Sequence, residues 1–288
     1  MIKKEDYKLG FLQRNSSKIF NLTVYSILII LSSPIVLAYA WLFMRSFSTG
    51  MKHGFIPIGL TFNNWRFMWE QISGLPNVWH VTLNTIVLGG SVAGVVLLVS
   101  SMAGFALSRF TFKGQGKLLL LLLMLHAFPT VSLMVAIFYI LRITHLLNSL
   151  LGVILLRASM DIPWATWVIK GFYDGIPREI EWAGAIDGYS RIAVWRKVLL
   201  PMVKPGLIVI GVFEFLSGWS EFIFITTFIF SNKWWTLSQY TYTALGGYRF
   251  ADYGLLTAIS VWYILPVTVL FIFANKYMTQ MSLGGIKG

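Results

Sequence analysis

Residues Thr82 to Leu107 read TLNTIVLGGSVAGVVLLVSSMAGFAL, a run without one charged side chain. A bilayer core about 30 Å thick is crossed by about 20 mostly apolar residues in helical form, and this run is long enough. Five other stretches share its length and apolar character: Phe20 to Met44, Leu118 to Leu141, Leu146 to Ile169, Gly206 to Phe230 and Gly254 to Ala274. Lipid offers the backbone no hydrogen-bond partner, so each stretch is expected to be helical. The strict alternation of a membrane barrel is absent. The fold class expected is an all-α membrane protein with six transmembrane helices. Residues 1–18 form a polar, basic leader, 19–275 the membrane domain and 276–288 a tail.

Composition agrees. The chain is 57% hydrophobic and 12% charged, where soluble domains carry about 25% charged residues. The formal net charge of +12 invites a nucleic-acid reading, but its placement argues otherwise. Six spans put both termini on one side. The leader, the second and fourth loops (Arg109 to Lys117 and Lys170 to Lys204) and the tail hold sixteen Lys and Arg, against six on the other side. The positive-inside rule therefore places both termini in the cytoplasm. Nucleic acid is not an expected partner; the lipid bilayer is. Cysteine is absent, which excludes disulfides, zinc thiolates and a cysteine nucleophile. The basic loop RFTFKGQGK lacks a phosphate-loop pattern, because Thr111 and Leu118 stand where Gly and Ser or Thr are needed. No ATP site is expected in this chain.

The fourth loop, Lys170 to Pro205, carries most information. Pro177 can open a helix, on which Ile180, Ala183 and Gly184 share one face with Glu181 beside them. Asp187-Gly188 reads as a stop. Ile192, Trp195 and Leu199 suggest a second short helix before Pro201. Such a helix–turn–helix outside the membrane either receives another protein or rests on lipid head groups.

Within the spans, Arg157 and Asp161 lie four apart and can pair. Glu214 and Glu221 are seven apart, on one helical face. Buried carboxylates mark either a substrate path or a packing hydrogen bond. Glu221, with the Trp219 indole near it, offers the acceptor and flat apolar surface that a sugar needs. His126 reads as a packing residue. Gly90 and Gly94 read as a small-residue packing step. Pro34, Pro129, Pro163 and Pro266 mark kinks.

The fourth loop resembles the signature of ABC importer permeases, a Glu-Ala-Ala triplet followed by Gly and an Ile-x-Leu-Pro ending. Ala183, Gly184, Gly188, Val198, Leu200 and Pro201 occupy its places. Pro177, Glu179, Glu181, Asp187 and Gly188 resemble additions typical of the sugar-importing branch. AGFALSRFTFKG, Trp219-Ser220-Glu221-Phe222 and the ending LGGIKG resemble further motifs of that branch, the last being the tail of the maltose-type second permease. The likeness runs over nearly the whole chain. It departs at Trp182, where the family's Glu would fall, so the ATPase contact falls to Glu181 or to Trp182.

The resemblance implies a type I importer membrane domain that imports a sugar or oligosaccharide, with an acidic fragment such as alginate within that range. It implies alternating access and a heterodimer with a second, related permease. Two ATP-binding subunits carry ATP and Mg, and an external solute-binding protein delivers the carbohydrate. The chain itself is expected to be non-catalytic, without cofactor or metal, in the bacterial cytoplasmic membrane. Pro177, Glu179, Glu181, Trp182, Ala183, Gly184, Asp187, Gly188, Leu200 and Pro201 would couple to the ATPase. Gly284, Gly285, Lys287 and Gly288 would touch it through the tail. Glu214, Trp219 and Glu221 would line the path. An ion-gradient-driven transporter or channel explains the spans and buried carboxylates but not the fourth loop. An intramembrane enzyme needs converging groups, and the four His, at 53, 80, 126 and 145, are scattered.

Overall fold

The computed structural model describes the backbone of residues 2–246 and 252–284 and the side chains of 20–246 and 252–276. The described chain is mostly helical and divides into two units, residues 1–66 with 252–261 and residues 67–251 with 262–288.

In the first unit, α1 (Ile2–Ser46) is one uninterrupted helix, with Pro34 inside it. From Phe20 to Arg45 none of its residues is buried, as suits a helix wrapped by lipid. A hairpin follows, β1 (Ser48–Lys52) against β2 (Ile56–Leu60), with Gly50 opposite Ile58. An all-helical reading does not contain this hairpin. Its turn places His53 and Gly54 at φ 53° and 80°, and the Trp41 indole donates to the Gly54 carbonyl at 2.8 Å. The Asn64 amide donates to the carbonyls of Ser46 and Ser48 at 3.1 and 3.0 Å, closing the base of the hairpin onto the end of α1. Asp252 caps the last helix, α11 (Tyr253–Gly284), accepting from the amides of Gly254 and Leu255 at 3.0 Å each. It also pairs with Arg66 at 2.9 Å. Burial pushes the Asp252 carboxyl up, but the Leu255 amide, Arg66 and the Gly254 amide outweigh it and hold the group below the usual range. Residues of α11 through Val261 belong to this unit and those from Trp262 to the second.

The second unit begins with α2 (Val78–Arg109), capped by Asn77 Oδ1 accepting from the Trp79 amide at 2.9 Å. After it come α3 (Gln115–His126), α4 (Met134–Ile143), α5 (Leu150–Asp174), α6 (Arg178–Ile186) and α7 (Arg191–Val194). Then follow α8 (Leu200–Trp219), α9 (Ile223–Phe228) and α10 (Leu237–Ala244). The core is built where α2 lies along α5 and α8, with Leu88, Val92, Val96, Val153, Ile169 and Ile210 buried together. Small residues permit the approach. A Cβ on Gly104 would lie 3.0 Å from the Lys170 nitrogen, and one on Gly218 would lie 2.8 Å from the Gly89 Cα. The expected packing step at Gly90 and Gly94 is corrected here: nothing lies within 4 Å of the Cβ position of either. Gly90 and Gly94 point about 100° and about 140° around the helix from Gly89, which lies in the packed stripe.

Among the described residues, five helices are long and apolar enough to cross a membrane: Phe20–Ser46, Val78–Arg109, Leu150–Asp174, Arg191–Trp219 and Tyr253–Lys276. A sixth crossing requires counting Gln115–His126 and Thr130–Ile143 together, and these meet at an 89° bend. The third expected span is thus broken, at Ala127 to Pro129, because Pro129 donates no backbone hydrogen bond. Pro34, Pro163 and Pro266 sit inside unbroken helices. The fifth expected span is displaced: the helix ends at Trp219, and Phe222 precedes a short new helix. It also starts earlier, because the second loop helix does not stop before Pro201. The chain passes through a π-turn at Trp195–Leu199 straight into α8. The Leu200 amide reaches back to the Trp195 carbonyl, a longer register that accommodates the missing N–H of Pro201.

Candidate coupling and translocation sites

The fourth loop forms a helical corner. Pro177 precedes α6, which ends at Ile186 with Asp187 as its cap. Gly188 then adopts φ +82°, the left-handed conformation that glycine takes freely. Its amide donates to the Ala185 carbonyl and the Tyr189 amide to the Gly184 carbonyl, both at 3.1 Å. This pair of bonds is the Schellman ending of a helix. Ser190 Oγ then caps α7 through the Ala193 amide at 3.4 Å. Gly184 is buried against Val194, whose Cγ2 would lie 3.1 Å from a Cβ there, so α6 and α7 hold one fixed angle. Behind the corner, the Trp195 indole donates to the Tyr173 hydroxyl at 2.9 Å, and Phe105 packs edge-on against Tyr173.

The two faces of α6 differ sharply. Trp182 is 58% exposed, Ile186 86% and, on α7, Ile192 74%. Glu179 and Ala183 are exposed beside them, with Asp187 at the corner, while Leu200 is half-buried and Pro201 exposed. Glu181 turns the other way. Its Oε2 lies 3.1 Å from Arg109 Nε, with the arginine side chain 5% exposed and the glutamate 23%. That contact is an ion pair whose N–H is not aligned for a hydrogen bond. The same guanidinium donates through an Nη to the Ile176 carbonyl at 3.0 Å. Ser108 donates to Asp174 at 2.7 Å, and Lys170 also pairs with Asp174. Sequence spacing does not single out Arg109 as its partner, since that residue stands at the far end of another span.

Midway along α5 and at the end of α8 lies a buried polar cluster. Arg157 Nε donates to Asp161 Oδ2 at 3.0 Å, as the four-residue spacing predicts, and to Ser217 Oγ at 2.6 Å. Its Nη1 reaches Glu221 Oε2 at 3.3 Å, and Ser217 Oγ lies 2.6 Å from Asp161 Oδ2. Glu221 is not on the helix of Glu214, as its spacing suggested; it sits in the break after Trp219 and accepts from the Phe224 amide at 2.9 Å. It therefore caps α9 while pairing with Arg157. Glu214 is 2% exposed, and its Oε2 has no hydrogen-bond partner. Trp219 is 1% exposed, its ring stacked on Phe215 at 5.6 Å and tilted against Tyr263 at 6.0 Å. It offers no open face in this conformation. His126 bonds through Nδ1 to the Met160 carbonyl at 3.1 Å. Ser217 was missed in the sequence, although its spacing to Glu214 is that of one helical face. Gly284 ends the described helix, and Gly285, Lys287 and Gly288 lie outside the described residues. No group of His, Asp and Glu among the described residues could hold a metal ion.

Residues 96–280, which contain both the corner and the polar cluster, match the family model of the binding-protein-dependent transport system inner membrane component. The chain belongs to this family. Its members are non-catalytic permease subunits, and ATP is hydrolysed by separate partners. The arabinooligosaccharide transport permease of Halalkalibacterium halodurans is 31% identical over 81% of this chain and 82% of its own length. The sulfoquinovosyl glycerol transport permease of Agrobacterium fabrum is 32% identical over 67% of this chain and 68% of its own. A bacterial ABC transporter that imports the acidic polysaccharide alginate shares the fold, with TM-score 0.78 at 18% identity, over 91% of this chain and 97% of that one. As a family member with several apolar helices, the chain is a multi-pass membrane protein.

Proposed function

We propose that this chain is one of two different membrane-spanning subunits of an ATP-driven importer of a sugar or oligosaccharide. The observation that carries the reading is the α6–α7 corner: a rigid helical turn at the start of the apolar helix Arg191–Trp219, showing Trp182, Ile186 and Ile192 to the surroundings. Large exposed apolar side chains on a rigid support are what a partner protein covers. The partner is the ATPase. Two ATP-binding subunits hold ATP and Mg, a second related permease completes the path, and an external solute-binding protein delivers substrate. Six crossings, the sixth made by the bent pair, put both termini in the cytoplasm of a bacterium, and the basic loops support that orientation. The tail at Gly284 to Gly288 adds a second ATPase contact. The substrate class follows relatives whose names specify arabinooligosaccharides, galactooligosaccharides and maltodextrin. Glu221 and Arg157 supply paired hydrogen-bonding groups for hydroxyls when the break after Trp219 opens, with Glu214 behind them.

An ion-driven mechanism leaves the corner without a task. The test is co-expression with candidate partners, purification by a tag on this chain, and ATP hydrolysis in lipid stimulated by the binding protein. Gly188→Pro cannot adopt φ +82°, so it distorts the corner. The expected result is stimulated hydrolysis in the wild type that is lost in the assembled variant. The screen includes neutral oligosaccharides and an acidic fragment such as alginate. Failure of any ATPase to associate overturns the reading.

A further inference from the structure

We infer that Glu181 works inside this subunit, where its pair with Arg109 makes α2 move with the coupling corner. The inference rests on the corner being the ATPase contact, as proposed above. Successive residues of a helix point about 100° apart. Trp182 and Ile186 face outward, while Glu181 lies on the side of Gly184 and turns to Arg109. A guanidinium does not lose its proton in proteins, so a nearly buried one needs anionic or carbonyl partners. Arg109 has Glu181 and the Ile176 carbonyl. A cavity of about 270 Å3 opens between Arg109, Phe110, Trp182 and Tyr189. Side chains do not fill the gap between α6 and the end of α2, and the ion pair lies along its wall. Among the described residues it is the one ion pair between these two helices, and the Arg191 guanidinium of α7, 5.3 Å from the Phe110 ring centroid, adds a weaker contact with the end of α2.

What α2 does with a displacement follows from its packing. It is an uninterrupted helix with Arg109 as its last residue. From Gly89 to Arg109 it spans about 30 Å at the usual rise. At the Gly89 end, its backbone is so close to Gly218 that a Cβ there would sit 2.8 Å from the Gly89 Cα. Close-packed interiors transmit displacement rather than absorb it. A pull on α6 at Glu181 is delivered by α2 to the end of α8, next to the break that carries Glu221. Arg109 and Glu181 are thus positioning residues. They touch neither nucleotide nor sugar.

The test uses the whole complex in proteoliposomes, scoring three quantities: ATPase retained on the tagged chain, ATP hydrolysed, and substrate taken up. The variants are Glu181→Gln, Arg109→Gln and the exchange Arg109→Glu with Glu181→Arg. Each single variant is expected to retain the ATPase while uptake per ATP falls about tenfold, the size of an ordinary coupling free energy. The exchange is expected to recover most of it. Where a Gln variant does not assemble, Glu181→Asp decides, because a carboxylate one methylene shorter stretches the pair while keeping its charge. Wild-type uptake per ATP in the assembled variants overturns the inference. So does loss of the ATPase from Glu181→Gln but not from Arg109→Gln, which makes Glu181 an ATPase contact. An exchange no better than the singles overturns it too. A double variant Trp182→Ala, Ile186→Ser is the separate check: if it still holds the ATPase and couples fully, the assignment of the corner itself has failed.

Discussion

Gly90→Ala and Gly218→Ala should shift stability in opposite directions, and the reason is visible in the space around each Cβ. Gly90 lies inside α2 with nothing within 4 Å of the position a Cβ would take. Alanine there removes the entropic cost of glycine in a helix, about 0.5–1 kcal/mol. Gly218 stands just before the last residue of α8, so the propensity gain is small at that terminal position. Its Cβ would sit 2.8 Å from the Gly89 Cα and 3.2 Å from both the Gly89 nitrogen and the Leu88 carbonyl oxygen. Carbon contacts are best at about 3.5–4.0 Å, so the two helices must separate by roughly 1 Å. All three contacts are backbone, and no side chain can swing aside. Overpacking of this kind costs about 1–3 kcal/mol. The clash wins at Gly218 and propensity wins at Gly90. Thermal unfolding of the purified assembly in detergent, followed by the fraction that stays monodisperse, measures the sign. A Gly218→Ala protein as stable as wild type, or a Gly90→Ala protein clearly less stable, would refute this account of the α2–α8 contact.

Three further outcomes are expected. Arg157→Ala leaves Asp161 and Glu221 buried without their cation, so it should destabilise the protein by about 3 kcal/mol, whereas Ser217→Ala, which removes a neutral bridge, should cost about 1 kcal/mol; unfolding of the two variants side by side checks the order. Asp252 ionises more readily folded than unfolded, so its contribution is complete above the unfolded value of about 3.9 and is lost as pH falls through the lower folded value. Wild type should therefore lose more stability than Asp252→Asn between about pH 6 and about pH 3, read as the difference between their melting temperatures. Trp182→Ala removes an exposed indole without touching the fold of the corner, so melting should stay unchanged while ATPase retention on the tagged chain falls.

Much of this architecture is written in apolar run length, a signal that needs no knowledge of neighbours. Thr82 to Leu107 falls inside α2, and Asp187-Gly188 marks the end of α6, because lipid and a left-handed turn each impose a local demand. The misreadings share one origin. Gly90 and Gly94 have the spacing of a packing step, yet the stripe that meets α8 and α5 passes through Gly89 and Gly104. Which of two adjacent glycines faces a neighbour depends on helix rotation, which is set by tertiary packing. The break at Ser220 to Phe222 was hidden because the flanking residues are as apolar as those of a helix. What marks it is the pairing of Glu221 with Arg157 from α5 and the cap it gives to α9. The hairpin at Ser48–Leu60 lies between the first two apolar runs, where run length carries no signal for two strands of five residues each.

Glu181 shows why the coupling corner could be found but not resolved from sequence. A carboxylate beside Trp182 satisfies the pattern of a partner contact, and composition cannot say which way it turns. Its direction is decided by Arg109, a residue separated from it by three helices in sequence (α3, α4 and α5) and joined to it across 3.1 Å in space. The guanidinium cannot be left buried without an acceptor, so the glutamate is drawn inward, and the neighbouring indole is left as the outward-facing group. If the corner meets the ATPase as proposed, one buried charge at the end of α2 assigns opposite tasks to two adjacent residues: Trp182 to meet that partner and Glu181 to carry its movement inward.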